Sequence, residues 1–186
     1  MDTIVFYIKL GFQHVIDFNG LDHFYFIIAL SLPYGFKQAK KLLWWVTLFT
    51  LGHTFSLIGN YYADFAFSSY WIELLIPITI ALSCLPIIAQ NAPKIRWFSS
   101  VLTFVFGIIH GLGFGRFFAM MVTPNATFTP LLSFAMGVEL AQILIVVFVL
   151  LSHLFVQKYP KGLNYWRLGL GGFIFLMALV MIIERI

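Results

Sequence analysis

Imidazoles and carboxylates are scarce in this chain, and scarcity makes their positions informative. Its 186 residues include five His and seven Asp or Glu. His14 precedes an adjacent pair, Asp22 and His23. His53, Glu73, His110 and Glu139 each stand inside a long apolar run, and Gln142 follows Glu139 by one helical turn. Neutral imidazole nitrogens and carboxylate oxygens together make a hard-to-borderline ligand set for a divalent transition metal such as Ni, Co or Zn. The same groups can also do acid–base work on a metal-bound water. The one cysteine, Cys84, lies in an apolar run. It reads as a buried inert thiol, which leaves no internal disulfide and no thiolate for a soft Cu(I) site.

The elements that must position these groups follow from composition. Hydrophobic residues make up 61% of the chain and charged residues 10%, against roughly 45–50% and about 25% in soluble domains. The mean hydropathy is +0.96. A soluble fold of this length could not hide so much apolar surface, so the expected solvent is a lipid bilayer. The sequence pI of about 9.3 does not point to nucleic acid, because the basic residues sit at the ends of apolar runs and form no patch. No signal-peptide pattern and no lipidation motif is evident. A single transmembrane domain is expected over residues 1–186.

The runs predict an all-α polytopic bundle of about six transmembrane helices. A short N-terminal half-helix is expected over 3–16. The helices follow at about 21–34, 40–60, 70–90, 97–118, 129–156 and 164–184. The breaks carry Pro33 and Gly35, Asn60, Asn91 and Pro93, Pro124 and Asn125, and Pro160 and Gly162. Lys37, Lys40, Lys41, Lys94, Arg96, Lys158, Lys161 and Arg167 fall on one side, and Lys9, Arg116 and Arg185 on the other. By the positive-inside rule the first side is cytoplasmic. Both termini are then expected on the periplasmic side of a bacterial inner membrane.

On this topology Asp22, His23, His53 and Glu73 come to the outer half, and His110 and Glu139 to the midplane. An ionised carboxylate near the bilayer centre costs a few kcal/mol or more, and no Lys or Arg lies at that depth to pair with it. Histidines, water or a bound cation remain as partners. The candidate metal ligands are therefore His14, Asp22, His23, His53, His110 and Glu139, with Glu73 and Gln142 weaker or behind them. Each has a bland alternative. His14 is equally placed to cap its segment at the interface. Asp22 could be a helix N-cap, His53 could bond a carbonyl, and Glu73 could be merely solvated. His153 reads as interfacial. Gly107, Gly111, Gly113 and Gly115 around His110 read first as small residues that let helices approach closely.

Four segments in order carry a family resemblance. His14-Val-Ile-Asp-Phe-Asn-Gly-Leu-Asp22-His23, Thr50-Leu-Gly-His53-Thr, Phe106-Gly-Ile-Ile-His110-Gly-Leu-Gly-Phe114 and Phe134-Ala-Met-Gly-Val-Glu139-Leu-Ala-Gln142 resemble the HupE/UreJ family of small bacterial membrane proteins. The resemblance runs from about residue 11 to 150. It implies a nickel or cobalt permease of the kind associated with hydrogenase and urease accessory systems. It also implies that His14, Asp22, His23, His53, His110 and Glu139 match the family's polar positions, with Glu73 a weaker match.

Three functions compete. A permease would load a divalent ion at the outer acids and histidines. Its inward path, nearly free of ionisable groups, would rest on backbone carbonyls, Ser83, Gln90 or movement. A runner-up is an intramembrane metal-dependent hydrolase with Glu139 or Glu73 as general base. The third is an accessory membrane subunit stabilised by its metal. A homo-oligomer or an accessory protein partner is compatible with all three.

Overall fold

A computed structural model gives the fold and describes residues 2–17, 20–63, 67–90, 96–122 and 128–186. The breaks expected at Asn91 and Pro93 and at Pro124 and Asn125 lie outside the described residues, as does Lys94. Every regular element described is helical. They are α1 (Asp2–Ile16), α2 (Asp22–Ser31), a 3-10 turn (Phe36–Gln38), α3 (Ala39–Ala63), α4 (Ser69–Ile88), α5 (Arg96–Met121), α6 (Thr129–Val156) and α7 (Gly162–Ile183). Five helices, α3 to α7, are long and apolar enough to cross a membrane, which makes the chain a polytopic helix bundle.

The expected first span differs in detail. At 1.5 Å per residue, α1 is about 22 Å long and α2 about 15 Å, so neither alone crosses a hydrocarbon core of about 30 Å. Placed end to end, they accompany α5 along its length. The Tyr7 hydroxyl donates to the Met121 carbonyl at the C-terminal end of α5, at 3.0 Å. His14 packs on Phe114, His23 on His110, and Phe26 on Phe106. Pro33 and Tyr34 share a cavity with Leu102 and Thr103. The half-helix and the first span are therefore two halves of one interrupted span. The interruption falls between Ile16 and Asp22, where the Gly20 N–H turns back to the Asp17 carbonyl at 3.2 Å. Irregular backbone at membrane depth is tolerated where protein or a cavity surrounds it.

Helix pairing explains why these neighbours meet. The most extensive pairings are α3 with α5, α1 with α6, and α4 with α7. At the α3–α5 contact, a Cβ on Gly52 would strike the Phe104 carbonyl, and one on Gly107 would strike that of Phe49. Gly11 and Gly137 make the same reciprocal contact between α1 and α6, against Phe134 and Ile8. Lipid gives no hydrophobic drive for helix association, so close van der Waals approach through small residues must supply it. The packing role expected of the glycines around His110 is met: Gly111 and Gly115 also face α3, at Ser56 and Asn60.

One end of the bundle gathers Lys37, Lys40, Lys41, Lys158 and Lys161, because the connection after α2 lies against the end of α6: Gly35 packs on His153. Exposed Trp44, Tyr159 and Tyr165 ring this lysine-rich end, and Tyr62, Tyr70 and Trp71 ring the other. Amphipathic aromatics favour the headgroup level.

Candidate metal centre

The interruption of the first span delivers two histidines to one place. His14 is in the last turn of α1 and His23 in the first turn of α2. α3 contributes His53 and α5 contributes His110. One ring nitrogen from each of His14, His23 and His53 lies within 4.8 Å of the others. The His23–His110 ring centroids are 5.1 Å apart. His23, His53 and His110 are each 1% exposed. In all four rings Nε2 is buried with no hydrogen-bond partner. Several orphaned polar atoms at one buried point call for an explanation such as a bound ion.

Hydrogen bonds orient two of the rings. Asp22 Oδ1 stands 3.2 Å from His23 Nδ1 and also accepts the His23 backbone N–H at 2.9 Å. Asp22 is thus no N-cap: Leu21 holds that position. His110 Nδ1 donates to the Phe106 carbonyl at 2.8 Å, which leaves its Nε2 as a lone pair. A carboxylate or carbonyl behind an imidazole is the usual support of a metal-ligating histidine.

An aromatic shell surrounds the rings. Phe114 packs on His14 at 4.0 Å, and Phe134 stacks on Phe114 at 5.2 Å and on His53 at 6.1 Å. Phe49 meets His23 and His110 edge-on at 5.9 and 5.1 Å, and Phe26 stacks on Phe49 at 4.6 Å. Sequence reasoning passed over these phenylalanines. The signal was present, since Phe49, Phe106 and Phe114 each stand four residues from a histidine.

The acids divide. Asp22 belongs to the cluster. Glu139 does not join the three-nitrogen group. It accepts from Thr47 Oγ1 at 2.6 Å and from Thr50 Oγ1, and the Thr50 hydroxyl oxygen also stands 2.9 Å from Gln142 Oε1. Gln142 is fully buried, with Nε2 unpartnered. Thr47 went unnoticed in the sequence. The convergence expected of Glu73 does not occur. Its side chain is 60% exposed, 4.0 Å from Arg185, and it lines a pocket with Asn60 and Arg116 at the end opposite the lysines.

The site lies between two cavities. One, of about 580 Å³, is lined by Leu10, Gln13, His14, Ile16, Asp17, Phe114 and Phe117. The other, of about 190 Å³, begins at Phe26 and Phe106 and runs past Ser83 and Thr103 to Tyr34 and Trp45. Phe26 stands 5.2 Å from His110 and separates the second cavity from the histidines.

The comparisons with known proteins join this geometry. The family model described as HupE / UreJ protein matches residues 1–185. The chain belongs to the HupE/UreJ family. No curated protein and no solved structure matches it. The histidine cluster is thus a feature of a HupE/UreJ membrane protein, a family linked to metal handling.

The donor set suits a divalent transition metal. At a metal–nitrogen distance of 2.0–2.1 Å, tetrahedral ligands stand about 3.4 Å apart. Three nitrogens within 4.8 Å reach that spacing by small ring movements.

Proposed function

We propose that this HupE/UreJ protein is a permease for a divalent transition metal ion of the nickel or cobalt class, and that the ion passes through the His14–His23–His53 site. The observation that carries this reading is the placement of three imidazoles, each with a buried Nε2 that has no partner, between two cavities at the interruption of a membrane span. An ion in the larger cavity meets His14 first and exchanges waters for imidazoles. Neutral nitrogens hold it without fixing it, and Asp22 behind His23 offsets part of its charge. Conduction needs a site firm enough to load and weak enough to leave. Onward passage needs Phe26 to swing aside, after which Ser83 and Thr103 line the way. The inward path anticipated through Ser83 is supported by its place in the second cavity. The lysine-rich end is then cytoplasmic, the membrane is the bacterial inner membrane, and transport runs inward.

Three imidazoles with an open fourth position are also the ligand set of a metal hydrolase. That reading ranks second because neither glutamate expected as its base, Glu139 or Glu73, stands among the histidines. The first is held by threonines and the second lies at the far end of the bundle.

The deciding experiment reconstitutes wild type and His53→Ala in vesicles loaded with a metal-sensitive dye, with Ni, Co and Zn offered in turn. Saturable dye quenching by wild type, lost in His53→Ala, is expected. Stoichiometric bound metal with no flux would overturn the permease reading in favour of a catalytic or structural site.

A further inference from the structure

The lysine-rich end holds a further cavity, of about 480 Å³, that metal passage does not use. Gly35, Lys37 and Gln38 line it from the connection after α2, His153 and Gln157 from the end of α6, and Arg167 from the second turn of α7. Two of these groups each carry one buried nitrogen without a partner. His153 is 7% exposed, and its Nδ1 has no partner. Arg167 Nη2 donates to the Pro33 carbonyl at 3.0 Å, while its Nε is buried without a partner. A buried N–H donor left without an acceptor is costly. No carboxylate is at hand to pair with it: residues 32–41 and 157–167 contain Lys37, Lys40, Lys41, Lys158, Lys161 and Arg167, but no Asp or Glu.

We propose that this cavity binds the phosphate headgroup of an anionic phospholipid from the leaflet at the lysine-rich end. Its depth fits. His153 and Arg167 lie one to two turns inside their helix ends, beside exposed Trp44, Tyr159 and Tyr165, at the level where headgroups lie. The chemistry fits as well. A guanidinium fork and a lysine match phosphate oxygens, and basic pockets between transmembrane helices hold anionic headgroups. Exposed Phe36 and Leu154, which line the cavity, give the acyl chains an apolar surface. Free phosphate shares the headgroup's chemistry but lacks those chains.

The test measures thermal unfolding of the full chain in nanodiscs of phosphatidylcholine, with and without phosphatidylglycerol, and in detergent with inorganic phosphate. Phosphatidylglycerol is expected to raise the wild-type midpoint by a few degrees. The gain should shrink in Lys37→Gln and vanish in Arg167→Gln. It should persist in Lys161→Gln, which removes the same charge from the same end but from outside the cavity. Lys37 is exposed, so its variant folds even if Arg167→Gln does not. Equal loss in Lys161→Gln would reduce the effect to diffuse attraction and overturn the site. An equal gain from inorganic phosphate would make it a free-anion site and overturn the lipid assignment, as would equal midpoints in the two lipids. Metal binding is read in parallel and should not change, so failure here leaves the permease reading standing.

Discussion

At the residue scale, the informative contacts are those behind the rings. Asp22 and the Phe106 carbonyl each occupy the Nδ1 side of a histidine and leave Nε2 for a ligand. Removing such a support costs 10–100-fold in metal affinity in comparable sites. Asp22→Asn is therefore expected to weaken Ni or Co binding about 10–100-fold, read by competition against a chromogenic chelator, while the protein stays folded. Unchanged affinity would show that the carboxylate does not act through His23. Glu73→Gln should leave both metal binding and flux at wild-type levels, since its side chain faces Arg185 and solvent. Glu139→Gln should keep the metal stoichiometry, because its carboxylate bonds Thr47 and Thr50 and not the histidines. A loss of bound metal in Glu139→Gln would return that residue to the ligand set.

At the element scale, the cluster depends on how closely α3 and α5 approach. A Cβ on Gly107 would also press on the His53 backbone nitrogen, and His53 and His110 stand within about a turn of that contact. Gly107→Ala should part the two helices, at a cost of about 1–3 kcal/mol of overpacking. It should lower the thermal midpoint and weaken metal binding together. A stability loss with full metal affinity would show that helix separation and ring convergence are uncoupled. The interrupted span matters in the same way. A continuous helix through residues 14–23 would spread His14 and His23 over about 13 Å of axis, whereas the break lets their rings meet at 4.5 Å.

At the scale of the whole molecule, Phe26 stands between the histidines and the smaller cavity. Phe26 and Phe106 line the smaller cavity, and Phe26 stacks on Phe49 above it. Phe26→Ala is expected to speed metal flux severalfold while leaving the equilibrium affinity nearly unchanged, since the nitrogens are untouched. Stopped-flow dye quenching in vesicles checks this. Slower flux would mean that Phe26 supports the site rather than closing it. The cost of truncating so buried a ring, about 3–5 kcal/mol, should appear separately as a lower thermal midpoint.

Composition alone determined the solvent. So many apolar residues with so few charges require lipid, and lipid requires helices whose backbone groups are satisfied internally. The cost of burying a polar group then marked His23, His53 and His110 as residues needing a partner, and Asp22 beside His23 made the pair legible without a structure. The family motifs lie in the same segments. Tertiary structure alone decided which acids join. Position along a helix gives depth at 1.5 Å per residue, so Glu139 could be placed near the midplane from sequence. Rotation about the helix axis decides what a side chain faces, and a helix that is apolar all round offers no polar face from which to read it. Reciprocal glycine contacts set that rotation. They turn Glu139 toward Thr47 and Thr50, and bring His14, two helices away from His53 in the chain, to within reach of it.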